Sequence, residues 1–454
     1  MTAMMQKLLT AKWVLPISTL PLKDAGVLVE GDRIVAVGPA QRLAKDFPKA
    51  LRRDFGRAII LPGFVDLHTH LEFSGMRGVC DDLPYSQWKI QLTKKSTCLA
   101  AEDWLVFARL GALEATQSGI TTITDITDSG ASLTAALESG LRGTVYREVE
   151  GMDGNRVKQT IDTARRNVAA WQEKVDGSRI TIGVAPHSPY AVCPPLFKAT
   201  ADWAVADELK VCVHLAGSKD EYDFVKYGSS VLAGPYRELM GWGNLLWQPT
   251  GVTPVKYLLQ WGLFDTDLLA VHCVQVNEDD MKILRDYNIA VAHCPKCNAK
   301  LAMGIAPLRE FLDLGLRVGI GTDSPASNNT MDVFDEMRIG LLLQRGLNQS
   351  TQQLEAETFV KLATLGGARA LGLDPIVGSL EPQKQADIVV VDMSHSHQRP
   401  LLDPYSALVY TANQENVALT MVGGQTVFDR TDDAATLNAE EILRRIEPIR
   451  MKLR

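Results

Sequence analysis

A chain of 454 residues, 46% of them hydrophobic and 22% charged, is long enough to bury a large core and too apolar to be disordered. A formal net charge of -7 excludes the basic surface that nucleic acids and anionic membranes require, which leaves small-molecule chemistry as the expectation. The 7 cysteines are scattered and odd in number, no run reaches the roughly 18 apolar residues of a membrane span, and MTAMMQKLLTAKWVLPISTL lacks the pattern of a secretory leader, so a cytoplasmic protein with reduced thiols is expected.

In chain order, residues 1–60 hold short β-type runs, KLLTAKWVLPI, AGVLVEGDRIVAVG and LRRDFGRAI, separated by Gly- and Asp-containing turns. Over residues 61–370 the texture changes to short apolar runs alternating with longer helical patterns, as parallel βα units require. Eight runs stand out: AIILPGFVDLH, GITTITDI, LRGTVYREV, RITIGVAPHS, KVCVHLA, LLAVHC, IAVAHC and RVGIGTD. Eight units predict a (β/α)8 TIM barrel. Residues 371–454 return to β-type runs, ADIVVVDMS and NVALTMVGGQTVFDR, before a C-terminal helix, and the two ends are expected to form one small β-sandwich domain.

Almost every barrel run ends in a residue able to do chemistry: His68 and His70, Asp125, Glu148, His187, His214, His272, His293 and Asp323. The C-terminal ends of barrel strands converge on one rim, where such folds assemble their sites. Residues two apart on a strand face the same side, so His68 and His70 can reach one ion. A divalent ion such as Zn²⁺ takes imidazole nitrogen and carboxylate oxygen, and His214 and Asp323 would complete the set. His395 and His397 in SHSHQRP repeat the spacing among polar residues and read as a solvated loop. HCPKCN holds Cys294 and Cys297 but lacks the second pair a structural zinc site needs.

Taken together and in order, PGFVDLHTH, HLA, AVHC and GIGTDS resemble the amidohydrolase superfamily, in particular its mononuclear-metal deaminase and chlorohydrolase branch. LEFSGMRG, HSPYAVCPP and GIAPLREFLDLGLRVGIGTDSPASNN are most similar to aminodeoxyfutalosine, methylthioadenosine and S-adenosylhomocysteine deaminases. RITIGVAPHSPY lacks the bridging Lys of binuclear relatives. The resemblance therefore implies one ion per chain, Zn²⁺ with Fe²⁺ or Mn²⁺ as alternatives, held by His68, His70, His214 and Asp323. It also implies catalytic roles for His272 and Asp323, a small heterocyclic substrate contacted by His187, and a homo-oligomer, dimer or larger. Trp88 on the loop after strand one could stack on a base, and Arg147 and Glu150 could meet a polar tail.

One position departs from the branch. Relatives carry a Glu three residues after the strand-five His, where it moves protons between water and the heterocycle; HLAGSKDEYDF has Gly217 there. Three explanations stand: the substrate needs no ring protonation, another carboxylate such as Glu221 or Glu72 reaches in, or the protein is a catalytically impaired metal and ligand binder. The expected activity is deamination of a purine-nucleoside-like or related N-heterocycle, with expulsion of halide or cleavage of a ring amide as the alternative. The long segment between strands five and six, with Trp242 and Trp247, is a candidate lid.

Overall fold

The computed structural model describes residues 5–352, 354–431 and 436–453. The chain enters through β1 (Gln6–Val14), β2 (Leu22–Glu30), β3 (Arg33–Pro39), β4 (Leu51–Asp54) and β5 (Ala58–Pro62). Eight parallel strands follow: β6 (Phe64–Thr69), β7 (Ile120–Thr127), β8 (Arg142–Val149), β9 (Ile180–Pro186), β10 (Lys210–Leu215), β11 (Asp267–His272), β12 (Ala290–His293) and β13 (Arg317–Ile320). The chain then returns to the first sheet with β14 (Ile388–Asp392), β15 (Val417–Val422) and β16 (Gln425–Asp429).

Both ends of the chain build that first sheet, in the order β16-β15-β14-β5-β1-β2-β3, with β4 beside β1. The junction is antiparallel and places Ile388 opposite Pro62 and Asp392 opposite Ala58. Alternate residues such as Leu9, Val27, Ile60, Ile388 and Val390 point into a shared apolar layer.

The run AIILPGFVDLH, expected to form one barrel strand, divides. Its first half is β5 of the terminal sheet and its second half is barrel strand β6. Pro62 has no N–H to continue a ladder. Gly63 then turns against Thr121, whose Cγ2 would lie 2.1 Å from any Cβ placed there. The division fixes where β6 starts, and so places His68 and His70 at its far end.

β6 to β13 form a nearly closed barrel. Strands β6 and β7 are buried throughout, as strands covered by helices outside and side chains inside must be. Helices cover the outside; the one over Val157–Val175 turns Ile161, Ala164, Val168 and Trp171 inward at helical spacing. Between β13 and β6 the closing contacts come from the site region itself. Asp323 N donates to His68 O (2.7 Å), and the Asp66 carboxylate accepts from Thr322 N (2.9 Å) and Thr322 Oγ1 (2.6 Å). Among the described residues no helix is long and apolar enough to cross a membrane.

Candidate active site

Four imidazoles and one carboxylate meet where the barrel closes. The side-chain donor atoms of His68, His70 and His214 all lie within 4.8 Å of one another, as do those of His68, His272 and Asp323. His70 Nδ1 bonds to Ile126 O (3.1 Å) and His214 Nδ1 to His187 O (2.8 Å). A carbonyl only accepts, so each Nδ1 carries the proton and each Nε2 a lone pair. Those two lone pairs face each other at 3.3 Å. Facing acceptors repel unless a cation lies between them, and neighbouring ligands of a tetrahedral Zn²⁺ are about 3.3 Å apart.

His68 is fully buried, and among the described residues neither of its ring nitrogens has a hydrogen-bond partner. An orphaned imidazole is costly in a protein interior unless something coordinates it. Asp323 Oδ1 lies 3.5 Å from His68 Nε2 and 3.8 Å from His70 Nε2. The residues therefore fit a divalent ion of the imidazole- and carboxylate-binding kind.

The electrostatics agree. Burial holds His70 down to about 3 and His272 to about 4, and keeps His214 well below the usual imidazole range, so these rings are neutral ligands or acceptors at neutral pH. Burial pushes the Asp323 carboxyl up, but His68 first, and then His272 and His70, hold it well below the usual carboxylate range. Asp323 is thus an anion among these imidazoles.

The backbone aims these groups through conformations that side-chain-bearing residues seldom adopt. Ala216 (φ 50), His272 (φ 75), Cys273 (φ 47) and Asp323 (φ 59) are left-handed where β10, β11 and β13 end. Two residues that the sequence reading gave no role fix the side chains. Asn298 Oδ1 accepts from His272 Nδ1–H (3.0 Å), leaving Nε2 toward the cluster. Cys297 Sγ donates to Asp323 Oδ2 (2.7 Å), so one cysteine of HCPKCN orients the carboxylate.

Gly217 follows β10 on the same side. A Cβ there would lie 3.2 Å from His272 Cδ2 and 2.8 Å from Met303 Cε, the flexible end of a side chain. Both suggested replacement carboxylates are engaged in hydrogen bonds. Glu221 accepts from Ala216 N (2.8 Å) and Gly217 N (2.9 Å) with its two oxygens, pinning the loop, and burial pushes it up to about 7. Glu72 accepts from Thr127 Oγ1 (2.6 Å), Asp128 N (3.2 Å) and Ser129 Oγ.

The expected substrate contacts separate. Trp88 lies in the helix Tyr85–Ser96 and not on a loop; it is 7% exposed and its Nε1 donates to Ala326 O (3.1 Å). His187 is buried, with Nδ1 toward Ser188 Oγ (2.7 Å) and Nε2 accepting from Lys89 Nζ (2.9 Å), and its carbonyl holds His214. Arg147 pairs with Asp128 (2.6 Å) and Glu150 accepts from Tyr236 OH (3.1 Å); both line a cavity of about 560 Å³ that Lys89 and Glu148 also line. His293 ends β12, but among the described residues it joins no group of potential metal ligands. In the segment between β10 and β11, Trp247 stacks on Phe224 at 4.5 Å and donates to Phe224 O (3.1 Å), while Trp242 meets Tyr236 edge-on. Both indoles are docked on their neighbours.

Comparison with known proteins bears on this geometry. Residues 59–427 match the Amidohydrolase family, and residues 25–50 match an imidazolonepropionase-like composite domain of bacteria. A 5-methylthioadenosine/S-adenosylhomocysteine deaminase from Pelotomaculum thermopropionicum is 33% identical over 93% of this chain and 92% of its own. A zinc-bound adenosine deaminase from Xanthomonas campestris superposes with a TM-score of 0.85 at 26% identity, over 99% of this chain and 98% of its own. A zinc-bound atrazine chlorohydrolase from Arthrobacter aurescens shares the fold, with a TM-score of 0.83 at 22% identity over 98% of this chain and 100% of its own. The chain belongs to the amidohydrolase family and is a hydrolytic enzyme of C–N bonds built around a site for a divalent metal.

Proposed function

We propose that the protein deaminates a purine-nucleoside-like N-heterocycle, with one Zn²⁺ held by His68, His70, His214 and Asp323. The observation that carries this reading is the pair of Nε2 lone pairs facing each other at 3.3 Å, with both Nδ1 protons committed elsewhere and Asp323 alongside. The sequence similarity to methylthioadenosine and S-adenosylhomocysteine deaminases supports the leaving group and the substrate class.

Bound here, the ion supplies water of lowered pKa at neutral pH. The chain's residues do the rest. Asp323, anionic and oriented by the Cys297 thiol, accepts the proton of the attacking water. His272, its Nδ1 fixed by Asn298, turns Nε2 toward the oxygen that becomes bonded to the ring carbon. A C–O bond forms, the ring C–NH₂ bond breaks, and Asp323 returns the proton as ammonia leaves. Burial excludes bulk water around the cluster and strengthens each of these contacts.

A second reading is favoured by Gly217. Glu221 and Glu72 are both engaged in hydrogen bonds, and halide, which departs as an anion without a proton of its own, is the leaving group that asks least of the missing acid. Metal-loaded protein is incubated with adenosine-type nucleosides and with amino- and chloro-triazines while ammonia and ultraviolet absorbance are followed. Ammonia release is the expected result. Product without ammonia supports the second reading, and ligand-induced thermal shift without product leaves a silent binder.

A further inference from the structure

His293 is a buried titratable side chain that the proposed chemistry does not use. It ends β12, which pairs with β11 so that Ala292 lies opposite Val271; His293 and His272 follow one residue further along these neighbouring strands. The ring is 1% exposed, and among the described residues neither of its nitrogens has a hydrogen-bond partner. Burial first, and then His272, hold it down to about 4, so at neutral pH one nitrogen carries a proton and the other a lone pair.

Asn298 is incomplete in the same way. Its Oδ1 accepts from His272 Nδ1–H, but among the described residues its Nδ2, equally buried, has no acceptor. His293 and Asn298 line one small pocket together with Gln344, and that pocket is too tight to admit a water molecule, so no solvent satisfies these groups. Among the side chains that line it, only His293 and Gln344 can accept from Asn298 Nδ2. Gln344 Oε1 already meets Asn348 Nδ2 (3.5 Å), whereas the His293 lone pair is unclaimed.

The orientation of that amide decides what His272 can do. With Oδ1 toward Nδ1–H, His272 keeps a lone pair on Nε2, the atom that faces the cluster. With Nδ2 there instead, Nδ1 would have to accept and Nε2 would carry the proton. A primary amide turns over readily unless both of its ends are held. We infer that His293, by a turn of its ring, accepts from Asn298 Nδ2 and is thereby a positioning residue that holds His272 in the Nδ1–H tautomer. The catalytic consequence rests on the deaminase reading; the hydrogen bond and the tautomer stand apart from it.

Nitrogen NMR of zinc-loaded protein carrying isotope-labelled histidine reads the tautomer, with the His272 signals assigned by their loss in His272→Gln, and steady-state kinetics read its consequence. Wild type is expected to show His272 protonated on Nδ1 alone. His293→Leu should give a mixture of tautomers and lower kcat about tenfold with KM within about twofold, at unchanged metal content. His293→Gln, which restores an acceptor, should keep the wild-type tautomer and most of kcat. An unchanged tautomer in His293→Leu overturns the inference, as does a loss in His293→Gln equal to that in His293→Leu. Should His293→Leu fail to fold, a crystal structure of the wild-type protein decides: Asn298 Nδ2 about 3 Å from a His293 ring nitrogen is the expected result, and a water or no contact between them refutes it. If no heterocycle turns over, the deaminase reading fails, while the tautomer still decides the positioning role.

Discussion

His68 and His70 share their spacing with His395 and His397, yet the two pairs differ in every other respect. At the end of β6 the rings stand edge to face, 4.8 Å apart at 87°, with His68 fully buried and His70 nearly so. After β14 the rings are 5.8 Å apart at 33°, both side chains are exposed, and the nearest acid, Asp392, is 3.9 Å from His395. Spacing gives two imidazoles a common face and nothing more. A donor set needs further groups arriving from other strands, and backbone carbonyls that take the Nδ1 protons so that lone pairs converge. The barrel brings further groups to the first pair and a carbonyl, Ile126 O, to His70 Nδ1; the described residues of the loop bring no such donor set to the second.

The largest effect separates the pairs directly. His68→Ala with His70→Ala should abolish metal retention and lower kcat/KM by about 10³-fold or more, equivalent to roughly 4 kcal/mol of transition-state stabilisation. His395→Ala with His397→Ala should leave both at wild-type values. Elemental analysis and steady-state kinetics on the two double variants read this, and equal losses from both would erase the distinction.

Next in size is the position beside the first pair that the sequence marks as unusual. Gly217→Glu should raise kcat for deamination by about 10²-fold with much less change in KM, because the carboxylate would emerge against His272 once the end of Met303 moves aside. An unchanged or lower kcat with intact metal content would show that Gly217 makes room for the substrate instead.

A smaller effect tests how the carboxylate partner of the pair is held. Removing the thiol in Cys297→Ala leaves Asp323 Oδ2 without its donor and should weaken metal affinity about tenfold, while Cys297→Ser should recover most of it. Competition against a chelator measures both. Identical affinity in Ala and wild type would make that contact incidental.

Much of this was legible in the sequence, for a physical reason. The eight strand runs and the residues at their ends read directly because a parallel barrel buries its strands and gathers their C-terminal ends on one rim. The division of AIILPGFVDLH was harder to see, since Pro62 and Gly63 inside one apolar run carry the signal and burial continues on both sides. Cys297 and Asn298 lie two and three residues inside a helix start, and their contacts with Asp323 and His272 depend on how β11, β12 and β13 stack, which no local pattern encodes. Lys89 was missed beside Trp88 for the same reason: it faces His187, almost one hundred positions away in sequence. The indole drew attention as a stacking surface, while the helix turned it inward and its neighbour outward to the site.

The smallest expected effect is on stability and concerns the cavity wall and not the ion. Burial raises the Glu148 carboxyl from its ordinary value near 4.5 to about 8. The folded protein therefore holds a proton that the unfolded chain releases above about pH 4.5, so this contribution is complete at low pH and is lost as pH rises through about 8. Wild-type Tm should fall by a few degrees between pH 6 and 9, and Glu148→Gln should reduce that slope, leaving the part due to Asp125 and Glu221, which burial raises to about 8 and about 7. A parallel slope in the variant would place the titration elsewhere.

Anomalous diffraction from crystals of the metal-loaded protein, recorded at the zinc edge, tests the central claim most directly. The account predicts one peak per chain, within bonding distance of His68 Nε2, His70 Nε2, His214 Nε2 and an Asp323 oxygen, and none at His395 or His397. Two peaks in the barrel mouth, or a peak held by the second pair, would contradict it.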